Sequence, residues 1–130
     1  MSELHLKFHD AAIPAGYISV DIERWRDEIA TIFLELSFYE DLLSAFTDSG
    51  KIGEQRRFLA GIREMVSKTK AIQQDFIRFT NRFEGRIECE DIHCETLFLN
   101  AFADFRTVAE KHLTQYRSFK SGMLSYLQTD

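Results

Sequence analysis

One proline, six glycines and two cysteines are all that 130 residues hold of the types that most often interrupt or staple a chain. With Pro14 as the sole proline, nothing after it carries the residue that breaks a helix, so long uninterrupted elements are expected. Cys89 and Cys94 are too close in sequence to close a long, stabilising loop, and reduced thiols are the default expectation. Stability must then come from burial, and a chain of this length has enough material for one core without disulfides or a structural metal. Basic excess is also missing. Sixteen Lys and Arg stand against twenty-one Asp and Glu, a net charge of −5, which lacks the electropositive footprint that neutralises phosphates and so argues against nucleic acid. Positive and negative side chains alternate along the chain as on a solvated face, unlike a patch for anionic lipid. No apolar run approaches the length that spans a bilayer, and the N-terminus lacks a basic segment followed by an apolar one. A cytoplasmic protein without a membrane partner is the expectation. Glycine-rich phosphate loops, His-Glu-x-x-His and nucleophile elbows are absent as well. Ser67-Lys68-Thr69-Lys70 satisfies Ser-x-x-Lys, but its companion motifs are missing and it falls inside a helical pattern, so no catalytic residue and no cofactor is assigned.

The chain is rich instead in a dense apolar pattern. Apolar residues make up 45% of it and twelve are phenylalanine, a globular balance with a large core. Residues 1–20 differ from the rest: Leu4, Leu6 and Phe8 alternate with His5, Lys7 and His9, the period of an extended segment, and Pro14 and Gly16 punctuate the entry to the first helix. This predicts an extended N-terminal arm over 1–20. From Ser19 or Asp21 the spacing becomes helical. Ile22, Trp25, Ile29, Ile32, Leu36, Tyr39, Leu43 and Phe46 follow steps of three and four until Thr47-Asp48-Ser49-Gly50 stops them. Phe58, Ile62, Met65, Thr69, Ile72, Phe76, Phe79 and Phe83 repeat the steps up to Gly85. Phe98, Phe102, Phe105, Ala109, His112, Tyr116, Phe119, Met123 and Tyr126 carry them on. The fold class is therefore all-α, an antiparallel three-helix bundle over 21–130 with helices at about 21–48, 53–84 and 91–127.

Short turns make neighbouring helices antiparallel and fix which seam residues face each other. Aligning the seams across both turns predicts six layers: Trp25/Phe76/Phe98, Ile29/Ile72/Phe102, Ile32/Thr69/Phe105, Leu36/Met65/Ala109, Tyr39/Ile62/His112 and Leu43/Phe58/Tyr116. Leu34 and Phe38 fall on the far side of the first helix, where a monomeric bundle exposes them. They are the expected interaction surface, covered by the N-terminal arm, by a second copy in a homodimer, or by another protein.

Two polar features stand out. Glu88-Cys89-Glu90-Asp91-Ile92-His93-Cys94-Glu95 is the densest cluster, and a four-residue step on a helix would put Cys89 and His93 on one face, with Cys94 beside them. That begins a zinc or iron site but supplies too few ligands to complete one, and the bland reading is an acidic helix N-terminus. Glu90-Asp91-Ile92-His93 matches the Glu-x-x-His of di-iron bundles, but no second copy exists and the seams carry Phe and Ile where inward glutamates would be needed. His112 is the one ionisable group on a seam, read as a neutral, hydrogen-bonded group that fixes register, with a pH switch as the sharper alternative.

The run Glu35-Leu36-Ser37-Phe38-Tyr39-Glu40-Asp41 after Trp25, with Phe79-Thr80-Asn81-Arg82-Phe83, resembles a group of small all-helical proteins of the Bacteroidota. The resemblance implies a three-helix antiparallel bundle with no known active site, and a second helix that continues past Gly85. Together these readings give a non-enzymatic helical interaction module that binds a protein or itself. The alternative is a metal-binding bundle using Cys89, His93 and Cys94.

Overall fold

A computed structural model describes residues 12–45, 52–86 and 92–128, with side chains except at 12–17, 83–86 and 93. Among these residues are three helices, α1 (Ala12–Ser44), α2 (Ile52–Arg86) and α3 (Ile92–Gln128). They pack as an all-α bundle with α2 against both neighbours. Each is between 33 and 37 residues long, a rod of about 50 Å at 1.5 Å per residue.

The expected arm is corrected over its last part. Residues 12–20 are the first turns of α1, while residues 1–11 lie outside the described part of the chain. Pro14 is the third residue of the helix, where its missing N–H is one of the four that have no intrahelical acceptor, so it opens the helix instead of blocking it. Ile18 explains why the helix extends so far upstream. It is buried and sits four residues before Ile22, continuing the seam by one step. At the other end α1 stops at Ser44, with Ala45 N–H donating to the Asp41 carbonyl, and residues 47–50 fall outside the described part. The amide of Gln55 in α2 donates to the Leu43 carbonyl, satisfying one of the open acceptors of the last turn. α2 runs through Gly85 to Arg86, since one glycine costs a helix only about 1 kcal/mol, and α3 opens at Ile92.

The α1 and α2 seams meet in the expected alignment: Leu43 is beside Gln55, and Arg26 lies 5.5 Å over the ring of Phe76, the expected partner of its neighbour Trp25. α3 does not. Thr69 meets His112 instead of Phe105, and Phe76 packs on Phe105, ring centroids 5.8 Å apart, instead of on Phe98. Trp25 likewise lies against Phe105 at 5.1 Å. The whole of α3 is displaced by one heptad from the expected layers, so Trp25/Phe76/Phe105 replaces Trp25/Phe76/Phe98. A shift of seven returns a heptad pattern to itself, so apolar spacing alone cannot distinguish the two alignments.

The core divides into two aromatic ends joined by aliphatic layers. At one end Trp25, Phe76, Phe79, Phe102 and Phe105 interlock, with the Phe79 ring stacked on both Phe98 and Phe105. At the other, Phe58 packs on Phe119 and Tyr126 above the fully buried Leu43 and Met123. Here α2 and α3 approach closely at Gly61. A Cβ built on it would lie 2.6 Å from Cε1 of Phe119.

Gly61 and Gly122 are both helical, but nothing lies within 4 Å of a Cβ at Gly122. Gly122→Ala should raise the unfolding free energy by about 1 kcal/mol through helix propensity. Gly61→Ala should fall short of that by about 1 kcal/mol or more, because the Phe119 ring must move. Urea titration of the two variants compares them directly, and equal gains would mean that α3 does not sit in this register.

Candidate functional site

Where α1 runs parallel to α3, polar contacts flank the apolar ones, and two carboxylates make them. Glu110 of α3 accepts from Arg24 Nη2 at 2.5 Å and from the indole N–H of Trp25 at 3.0 Å. Arg24 also lies near Asp21 and Glu28 on its own helix. Three turns further along, Glu35 of α1 accepts from the Tyr116 hydroxyl at 2.5 Å and from Lys120 Nζ at 3.0 Å. The hydrogen bond from Arg24, then that from Trp25, hold the Glu110 carboxyl below the ordinary carboxylate range. Burial alone would push the Glu35 carboxyl up, but the bonds from Tyr116 and Lys120 outweigh it and the net displacement is downward. Burial, reinforced by donation to Glu35, pushes the Tyr116 hydroxyl far above its usual range.

A groove of about 320 Å³ opens between these two clasps. Ile32 and Leu113 form its floor, Asp27, Thr31 and Arg117 its rim. Its carboxylates and bases are largely committed to one another, and no buried side-chain polar atom among the described residues lacks a partner.

His112 is buried on the seam, as its position implies, and its partner is Thr69. The Thr69 hydroxyl donates to the Met65 carbonyl at 2.7 Å and is 2.8 Å from His112 Nε2. A hydroxyl has one proton, so with that proton on Met65 the second contact requires Nε2–H to donate to the threonine oxygen. Burial first, and then the charge of Lys68 on α2, lower the His112 pKa. The expected neighbourhood of Tyr39 gives way to Thr69 because of the one-heptad displacement.

Leu34 and Phe38 stand on the outward face of α1, as expected, at 74% and 60% exposure. Leu42, 43% exposed, extends the stripe by a further step of four, a repeat readable in the sequence that Leu34 and Phe38 alone do not capture. Of the proposed metal cluster, Cys89 and the His93 side chain lie outside the described residues. Cys94 is half-buried near the start of α3 and is disulfide-bonded, so the expectation of a reduced thiol does not hold there. A disulfide sulfur is not the thiolate a metal takes, and among the described residues no group of three or more His, Cys, Asp or Glu side chains is placed to hold an ion. No described helix is long and apolar enough to cross a membrane. Compared with known protein families, curated proteins and solved structures, the chain matches none.

The displacement of His112 sets a pH dependence whose sign is fixed. Its folded-state pKa is below the unfolded value near 6.5, so the unfolded chain binds the extra proton and stability falls as pH drops through about 6.5. Glu35 and Glu110 act lower, their contribution present above about pH 4.5 and lost as pH falls through their depressed values. Unfolding free energies at pH 8, 6.5 and 5 should therefore decline toward acid, and His112→Gln, which keeps an amide donor for Thr69, should flatten that decline. An undiminished slope in the variant would assign it to another group.

Proposed function

We propose that this protein is a non-enzymatic helical interaction module that contacts a protein partner, another polypeptide or a second copy of itself, through the outward face of α1. One observation carries the reading. Leu34 and Phe38, large apolar side chains four residues apart, are mostly exposed on a helix whose inward face is already filled. Helices that dock into a partner use apolar anchors at three- and four-residue steps, and Leu34, Phe38 and Leu42 supply three. The acidic balance of the chain keeps nucleic acid out of the reading.

The test combines three amphipathic helical peptides with sedimentation of the protein alone. The peptides share leucines at three- and four-residue steps and carry lysine, glutamine or glutamate on the polar face. Association with at least one peptide, or concentration-dependent dimerisation, should appear in the wild type and be lost in Leu34→Ser/Phe38→Ser. Both substitutions are at exposed positions, so stability should stay within about 0.5 kcal/mol of wild type. A monomer that binds none of the three would refute the module.

A further inference from the structure

The exposed charges that α1 itself sets around the stripe are of one sign, while Arg117 of α3 shares the groove rim with Asp27. Steps of four keep Leu34, Phe38 and Leu42 in one narrow sector of α1, opposite the buried seam. Asp27 is three turns before Phe38 in that sector, and Asp41 and Glu23 border it. All three are exposed. The two bases of α1 do not offset them. Arg24 is held among Asp21, Glu28 and Glu110, and Arg26 lies over the ring of Phe76 on the side of α2.

We propose that the occupant of this face is a basic amphipathic helix of another protein, with apolar anchors against Leu34, Phe38 and Leu42 and lysines or arginines against Asp27 and Asp41. The inference rests on the interaction-module reading and names the chemistry of the partner. Electrostatic complementarity selects partners mainly by making like-charged ones costly. A second α1 is disfavoured on that ground, since a parallel pairing sets Asp27 and Asp41 against their own copies and either direction brings two faces of the same negative sign together. An anionic lipid surface meets the same repulsion. The alternating segment of the same chain is too short to cover the whole stripe. Leu4 is eight residues from Ala12, at most about 28 Å of extended chain, whereas Leu34 is 22 residues along α1 from Ala12, about 33 Å, and Phe38 about 39 Å.

The peptide series discriminates. The lysine peptide should bind at least about tenfold more tightly than the glutamine peptide, and the glutamate peptide more weakly still. Raising salt from about 50 to 500 mM should remove most of the difference, because the charges are exposed. A lysine peptide of the same composition with its leucines dispersed around the helix should bind about tenfold more weakly than the amphipathic one, which separates docking from general attraction to an acidic protein. In Asp27→Asn/Asp41→Asn the preference for lysine over glutamine should collapse toward unity while stripe-dependent binding of the glutamine peptide persists. Four results would overturn the basic partner and leave the module standing. These are equal binding of all three peptides, a preference for glutamate, a lysine preference intact in the aspartate variant, and a dimer that Leu34→Ser/Phe38→Ser dissociates. Absence of any stripe-dependent association removes both.

Discussion

The Thr69 hydroxyl, with its proton on the Met65 carbonyl and its oxygen facing His112, is the point at which α2 and α3 are put in register. Apolar layers tolerate a slip of seven residues, since phenylalanine or an aliphatic side chain returns to each seam. A buried imidazole does not. Left without an acceptor it would cost about 1 to 3 kcal/mol, a large fraction of the stability of a domain this size. Thr69 is the one hydroxyl on the α2 seam, and the alignment that brings it to His112 also brings the ring of Phe119 against Gly61, where no Cβ intervenes, and Phe105 between Trp25 and Phe76. One polar contact thus selects among alignments that hydrophobic burial leaves nearly equal in energy, the role best attested for lone polar groups in coiled coils.

How far the sequence could be read follows from the same distinction. Steps of three and four determine which side of each helix is buried, and Trp25, Leu36, Ile62 and Met123 are buried accordingly. They also place Leu34 and Phe38 outward, because that depends only on angle about the axis. Position along the axis is another matter. The offset of α3 depends on the conformation of the second turn and on which side chains satisfy His112, and neither is encoded in periodicity. The start of α1 was hidden differently. Pro14 and Gly16 read as punctuation because their usual effect is to interrupt, whereas within the first turns of a helix a proline removes only a donor that has no acceptor. Ile18, four residues before Ile22, was the signal that outweighed them.

The polar clasps between α1 and α3 were not legible at all until α3 was in its true register. Glu35 with Tyr116 and Lys120, and Glu110 with Arg24 and Trp25, connect residues more than eighty positions apart. Partly exposed ion pairs contribute about 0 to 1 kcal/mol each, so they are minor terms in stability. Their effect is positional: each carboxylate is held by two donors from the opposite one of the two parallel helices, which fixes the side of α1 that faces α3 and therefore the side that faces away.

That outward side contributes little to folding. Leu34 and Phe38 are largely exposed in the bundle and also in the unfolded chain, so their transfer free energy is almost unchanged by folding, and their substitution by polar residues alters neither core nor clasp. Buried against another surface, each large apolar side chain is worth about 1.5 to 3 kcal/mol, before the cost of association is subtracted. Folding thus fixes three apolar side chains on a rigid helix and leaves their burial energy available to association. The aspartates beside them repel other acidic surfaces, including a second copy of the same helix. For the partner proposed above, apolar area would supply the affinity, and Asp27 and Asp41 would select the sign of its charge.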